Sequence, residues 1–151
     1  TKEDLYAEAI TQVLACEKQT TDGKPLDMCM PPDHLAQEVV AAYLSDGHFG
    51  NVDGICSLVA FPADAARGGR AAREAYQTVL EAMIGLFEAG LKGRVDAHAR
   101  AVTMATLCVG GMVLARAVDD KGLAGEIRAT AMGQALKAGG FTENRRSEAA
   151  E

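Results

Sequence analysis

The chain has 151 residues, enough for one domain with a buried core and too few for two ordinary domains. Its formal net charge of -6 opposes direct binding to nucleic-acid phosphates, because that contact needs clustered lysine and arginine. Aromatic residues make up 5% of the chain and tryptophan is absent, a balance that favours helices over sheets. We therefore expect an all-α fold, an antiparallel helical bundle of about six helices.

The beginning of the chain carries the signals of a helix followed by a loop. Thr1 with Asp4 three residues later is an acidic form of the capping box, and it predicts a first helix over residues 2–17. Residues 20–30 contain glycine and proline without a sustained apolar period and indicate a loop. The chain opens on a helix start without an initiator methionine, so we expect further residues upstream.

Proline marks the next elements. Residues 31–33 suit the first turn of a second helix, whose apolar residues extend to Leu44. Residues 45–54 are rich in glycine, aspartate and asparagine and predict a bend with a short helical turn. Residues 55–67 have helical apolar spacing interrupted by Pro62, which either kinks a helix or lies in its first turn.

Three longer helices are predicted in the second half. Residues 71–91 trace a wide apolar face opposite charged residues. Asp96 is placed to cap a central helix in which residues 101–115 contain no charge. A last helix over residues 123–138 is made largely of alanine, glycine, methionine and leucine, and the glycines at 139–140 cap it.

The uncharged stretch 101–115 needs burial on every side. A helix of that length covers about 22 Å, short of the roughly 30 Å hydrocarbon layer, so lipid is the weakest environment and no membrane partner is expected. Gly110 and Gly111 weaken the helix, which indicates close approach of another helix backbone.

We expect a second copy of the chain to bury the exposed faces of the last two helices. The amphipathic helices before them offer too little apolar surface to bury both, so we expect a homodimer with a four-helix interface. The alternative is that both helices are wrapped by their own domain. The residues predicted at the interface are Cys108, Gly111, Met112, Ala115, Ile127, Ala131 and Gln134.

The cysteine pattern favours a reduced, cytoplasmic setting. Cys16, Cys29, Cys56 and Cys108 are widely spaced, form no CxxC pair and follow no secretory leader. Cys56 stands near a predicted helix start and is the better candidate for a redox sensor, although plain packing is the commoner role of such a residue.

Three segments resemble the TetR/AcrR family of transcriptional regulators. Residues 1–5, TKEDL, resemble the S/T-K-E-x-L segment that opens the helix after the DNA-binding domain. Residues 53–64 are similar to the family's G-C-x-x-A-A-x-x-x-E segment, with Ile55 inserted after the glycine and Pro62 where a helix former is usual. Residues 111–120 resemble the penultimate helix and its exit.

The resemblance implies an effector-binding and dimerisation domain over residues 1–142, followed by a charged tail over residues 143–151. The last two long helices would form the dimer interface. Operator DNA would be contacted only through a helix-turn-helix module upstream of Thr1. A small apolar effector would release the dimeric repressor from its operator by binding one of two states better. No cofactor is implied.

An effector pocket is predicted where aromatic, methionine and a few polar side chains converge. Taken singly, each of these residues also fits an ordinary core, and a helical threonine commonly bonds back to a carbonyl one turn earlier. The predicted ligand-binding residues are Phe49, Cys56, Phe61, Tyr76, Met83, Phe87, His98, Thr103 and Met104.

The sequence contains little that supports a catalytic function. No serine, cysteine or carboxylate stands at the spacing of a nucleophile motif, and no histidine pair has metal-ligand spacing, so we expect neither an enzyme nor a metal site. The alternative function is a helical enzyme or carrier for an apolar small molecule that uses Cys56 and His98. A purely structural helical module is the third hypothesis.

Overall fold

The fold is known from a computed structural model, which describes residues 1, 4–5, 7–10, 27 and 29–141. Regular secondary structure in this part of the chain is helical throughout, as the composition predicts. Its helices are α1 Pro32–Tyr43, α2 Asp46–Gly50, α3 Ser57–Ala60, α4 Pro62–Arg67, α5 Arg70–Gly90, α6 Ala97–Ala117 and α7 Lys121–Gly139.

Residues 4–5 and 7–10 are also helical and form an N-terminal helical segment. The remainder of the predicted first helix, most of the predicted loop over residues 20–30, and the predicted tail over residues 143–151 lie outside the described residues.

Local signals set most helix ends. The Thr1 hydroxyl accepts a hydrogen bond from the Asp4 amide at 3.2 Å, which confirms the predicted cap of the first helix. The Asp120 carboxylate accepts from two backbone amides at 2.7 and 3.1 Å, so α7 begins at Lys121, slightly before the predicted start. Gly140 ends α7 in the left-handed conformation, with φ of 72°, as predicted.

Two further signals had different outcomes. Pro62 is the first residue of α4, after α3 has ended at Ala60, so of the two predicted alternatives it lies in the first turn of a helix. Asp96 occupies the N-cap position of α6, but its backbone is left-handed with φ of 57° and its side chain makes no capping hydrogen bond. The predicted N-cap position of Asp96 is therefore confirmed, although its side chain does not cap the helix.

The main core lies among α1, α5, α6 and α7, with α6 packed between α5 and α7. Short connections make consecutive long helices antiparallel. Among the residues that fill this main core are Val40, Leu44, Phe87, Leu91, Met104, Cys108 and Phe141.

A second, smaller cluster joins the N-terminal helical segment to α3 and α5. Its fully packed members are Ile10, Leu58, Ala75 and Val79. Leu80 and Met83 of α5 contact both this second cluster and the main core, so they mark the boundary between the two.

The uncharged helix α6 buries one side within its own chain and leaves the other side exposed. Leu114 is 58% exposed and Val102 is 37% exposed. Of the helices among the described residues, α6 is the one long and apolar enough to cross a membrane, a test that the core helix of a soluble protein also passes. The side that faces inward carries Ala101, Met104, Ala105, Cys108, Gly111, Met112 and Ala115.

At Gly111, α6 approaches the rest of its own chain closely. A Cβ atom placed there would lie 2.6 Å from Cβ of Ala131 in α7 and 3.2 Å from a methyl group of Leu44. Gly110 beside it faces open space. The close approach predicted at this glycine pair is therefore made at Gly111, and within one chain.

We expect Gly111→Ala to lower the free energy of unfolding by about 1–3 kcal/mol, the usual cost of overpacking. The methyl group of Ala131 has no rotamer that moves it away, so the two helices must separate. Gly85→Ala in α5 is the matched control, because a Cβ atom at Gly85 would contact nothing within 4 Å. Urea unfolding measures both variants, and equal stabilities would contradict the contact.

Candidate functional site

An open apolar groove runs along the outer face of the hairpin formed by α6 and α7. Its volume is about 410 Å³, and Glu126 is the one charged residue in its wall. The groove is lined by Thr106, Leu107, Gly110, Gly111, Leu114, Leu123, Glu126, Ile127, Thr130, Ala131 and Gln134.

Large apolar side chains at this hairpin groove remain in contact with water. Leu114 of α6 is 58% exposed and Leu123 of α7 is 43% exposed. Four of the predicted interface residues, Gly111, Ile127, Ala131 and Gln134, line the groove. The structure therefore presents a continuous apolar surface on the two helices for which a partner was predicted.

The other predicted interface residues face differently. Cys108, Met112 and Ala115 are completely buried inside a single chain. They pack within that chain and are not available to a partner in this arrangement. Sequence reasoning missed Leu107, Gly110, Leu114 and Leu123 because α6 and α7 are apolar on most faces, so no period identifies the outward side.

Four of the predicted ligand-binding residues meet around the second cluster. Cys56, Phe61, Tyr76 and Met83 all pack against it. The Tyr76 hydroxyl donates a hydrogen bond to the carbonyl oxygen of Leu58 at 2.7 Å, which ties α5 to α3. Burial is the main cause that raises the pKa of Tyr76, with Cys56 contributing.

Five predicted ligand-binding residues lie elsewhere. Phe87 and Met104 are fully buried in the main core. The Thr103 hydroxyl donates to a backbone carbonyl one turn earlier, at 2.9 Å, and the exposed His98 lies 3.1 Å from a Glu88 carboxylate oxygen. The remaining residue, Phe49 of α2, packs under the guanidinium of Arg128. The structure thus separates these five from the group around Tyr76.

Cys56 and His98, the two residues that the enzyme hypothesis needs, lie apart in the structure. Cys56 packs against the second cluster beside Val109, whereas His98 lies eleven residues before Val109, about 16 Å along the helix axis. Among the described residues there is no group of three histidine, cysteine, aspartate or glutamate side chains placed to hold a metal ion.

Tyr43, the last residue of α1, packs against the main core, and its ring contacts that of His48. Burial is the main cause that raises the pKa of its phenol, and Cys56, Cys108 and Tyr76 also contribute. The Tyr43 hydroxyl is buried and has no hydrogen-bond partner among the described residues. The same holds for the hydroxyl of Ser57, which is 4% exposed at the start of α3.

The cysteine thiols near Tyr43 differ in their surroundings. Cys108 is completely buried, and that burial raises the pKa of its thiol to about 12, which makes it a packing residue at neutral pH. Cys56 is partly exposed and occupies the N-cap position of α3, as the predicted helix start implied. Cys29, Cys56 and Cys108 are free thiols.

Two arginines hold the short helix α2 from outside. The Arg128 guanidinium, on α7, donates to the Leu44 carbonyl at 3.1 Å and to the exposed Asp46 carboxylate at 2.7 Å, and it lies 4.5 Å from the centre of the Phe49 ring. Arg116 of α6 donates to the backbone carbonyl of His48 at 2.7 Å. Both long helices of the hairpin are therefore bonded to α2.

Comparison of the chain with protein-family models, with curated proteins and with solved structures finds no significant match. The described residues form an all-helical domain with an exposed apolar groove on the α6–α7 hairpin and with buried hydroxyl groups at Tyr43 and Ser57. The TetR/AcrR resemblance remains a prediction from its motifs.

The burial of His48 predicts that the stability of the protein depends on pH. Its Nδ1 lies 2.6 Å from the Tyr43 carbonyl oxygen, and burial is the main cause that lowers its pKa below the ordinary value of 6.5. The unfolded chain therefore binds this proton more readily than the folded chain does. The contribution of His48 to the free energy of unfolding is fully present above pH 6.5, and it is lost as the pH falls towards the folded pKa.

We expect the free energy of unfolding to decrease between about pH 7.5 and about pH 5.5, and this decrease to be smaller in His48→Gln. Urea unfolding across this range measures both proteins. A decrease of the same size in His48→Gln would show that other groups cause it.

Proposed function

We propose that this chain is the effector-binding and dimerisation domain of a TetR-like transcriptional repressor that acts in the cytoplasm. Two copies would associate through their α6–α7 hairpins into a four-helix interface. A separate helix-turn-helix module would contact the operator DNA, and a small apolar effector would release the dimer from it. The observation that carries this proposal is the exposed apolar groove along the hairpin.

The groove supports association of two copies because its composition suits a self-complementary surface. Apart from Glu126 its wall is uncharged, so a two-fold axis would bring few like charges together. Leu114 and Leu123 protrude from the two helices, and burying them removes apolar surface from water. A Cβ atom at Gly110 would meet nothing within 4 Å, so the backbone of a second helix can approach closely there.

The proposed interface is therefore turned outward from the face predicted by sequence. Gly111, Ile127, Ala131 and Gln134 remain part of it, and Gly110, Leu114 and Leu123 join them. Cys108, Met112 and Ala115 support it from below, because they are buried between the helices of one chain.

The second cluster supports the effector role because it contacts the beginning of the chain. Ile10, in the N-terminal helical segment, is completely buried in the second cluster together with Leu58 and Val79. In the TetR-like arrangement this segment leads to the DNA-binding module. A ligand that displaces Ile10 would change the position of that module, and its differential affinity for the two positions would release DNA.

We expect the chain to be a dimer at micromolar concentration and Gly110→Leu to weaken its dimerisation by about 5-fold to 150-fold, because the leucine overpacks the close contact. Analytical ultracentrifugation over a concentration series measures the dimer constant. Gly85→Leu is the matched control, because Gly85 also faces open space on a helix but lies on α5, away from the groove.

Urea unfolding of the same two variants separates a loss of association from a loss of fold. A monomeric wild-type chain would overturn the proposed function. A dimer whose association constant is unchanged by Gly110→Leu would place the interface away from the hairpin groove.

A further inference from the structure

The short helix α2 has little stability of its own. Glycine makes up two of its five residues, at Gly47 and Gly50, and glycine is among the residues least favourable to a helix. No residue of α2 belongs to the main core or to the second cluster. Isolated helices of a few residues do not persist in water, so α2 depends on its contacts with the rest of the chain.

The hairpin holds α2 through two arginines. The Arg116 guanidinium, on α6, donates to the carbonyl oxygens of His48 and Asn51 at 2.7 and 3.2 Å. The Arg128 guanidinium, on α7, donates to the Asp46 carboxylate at 2.7 Å. Because both hydrophobic clusters are built from other residues, α2 can detach from these arginines while the two clusters stay packed.

His48 is the buried residue of α2. It is 8% exposed, and its ring meets the Tyr43 ring edge-on, with the ring centres 4.8 Å apart. Its Nδ1 lies 2.6 Å from the Tyr43 carbonyl oxygen, which can only accept, so Nδ1 carries the proton of the neutral ring. A second proton must therefore bind at Nε2, which no hydrogen bond joins to another described residue.

The groups around His48 do not compensate a positive charge on its ring. From α1, Tyr43 offers a phenol that stays neutral, because burial raises its pKa. From α6 and α7, Arg116 and Arg128 are cations, and the Asp46 carboxylate of α2 itself is bonded to Arg128. Burial is the main cause that lowers the pKa of His48; Arg116 lowers it further, and the Tyr43 carbonyl opposes both without offsetting them.

Detachment of α2 would return His48 to water and its pKa to the ordinary value of 6.5. The detached form then binds a proton more readily than the attached form. The ratio of detached to attached α2 therefore rises as the pH falls from 6.5 towards the pKa of the attached form, by at most about tenfold for each unit of pH.

We propose that α2 is an acid-released latch between α1 and the hairpin, in which protonation of His48 shifts α2 to a detached form while both hydrophobic clusters stay packed. Release frees the guanidiniums of Arg116 and Arg128 and uncovers the Phe49 ring that lies against Arg128. The latch goes beyond the proposed function, because it requires neither a dimer nor an effector.

Hydrogen exchange of the full chain, followed by NMR, tests the latch. The amides of Phe49 and Asn51 report on it, because they bond to the carbonyls of Ser45 and Gly47, both at 3.1 Å, only while α2 is attached. We expect their protection factors to fall as the pH is lowered from about 7.5 to about 5, after correction for intrinsic exchange. They should also stay below that of Cys108 in the main core, because detachment costs less than unfolding.

Two results of this experiment would overturn the latch. Protection of Phe49 and Asn51 that does not fall with the pH would mean that no proton drives the release. Protection equal to that of Cys108 at every pH would mean that α2 opens only when the whole chain unfolds.

Histidine variants identify the proton site. His48→Gln removes it, so the protection of Phe49 and Asn51 should no longer depend on pH. His98→Gln is the matched control, because the His98 side chain is 72% exposed and lies on α6 away from α2, and it should leave the fall unchanged. A fall of the same size in His48→Gln would overturn the role of His48.

Gly50→Ala tests detachment without touching the buried ring. A Cβ atom at Gly50 would meet nothing within 4 Å, so alanine strengthens α2 without a clash. We expect the protection of Phe49 and Asn51 to rise by about twofold to fivefold at each pH. Gly85→Ala on α5, which is equally open, should leave it unchanged. An unchanged protection in Gly50→Ala would overturn release of α2 as a unit.

These outcomes are independent of the proposed function. A monomeric chain whose α2 is released through His48 keeps the latch and overturns the proposed repressor domain. A dimeric chain whose α2 protection does not depend on pH overturns the latch alone.

Discussion

At Gly111 the backbone of α6 comes so close to α7 that one added methyl group would collide with Ala131. This approach fixes the rotation of both helices. It turns Cys108 and Met112 into the core, and it leaves Leu114 on the outside. The exposed groove is a consequence of that rotation, because a hairpin with longer side chains at this point would hold its helices farther apart.

The helices were predictable from local signals, whereas the directions they face were not. Thr1, Pro62 and Gly140 act through their own backbone or through neighbours a few residues away, so the sequence indicates their effect directly. In α6 apolar residues occupy every side, and the contrast that normally identifies a buried face is missing. The choice between Gly110 and Gly111 depends on α7, which sequence spacing does not place.

The candidate site was predicted in part for the same reason. Tyr76 and Met83 were expected near Cys56, and they pack around one cluster. Phe87 lies on the same helix as Val79 but eight residues later, about 12 Å along the axis, and there it belongs to the main core. The free donor of Tyr43 had no signature in the sequence, because an unsatisfied hydroxyl is defined by neighbours from several elements.

The bonds of Arg116 and Arg128 to α2 connect the outer surface of the hairpin with its interior. Each guanidinium reaches from a long helix to backbone carbonyls on either side of the Tyr43–His48 ring contact. A rotation of α6 relative to α7 would therefore have to carry α2 along or break one of these bonds.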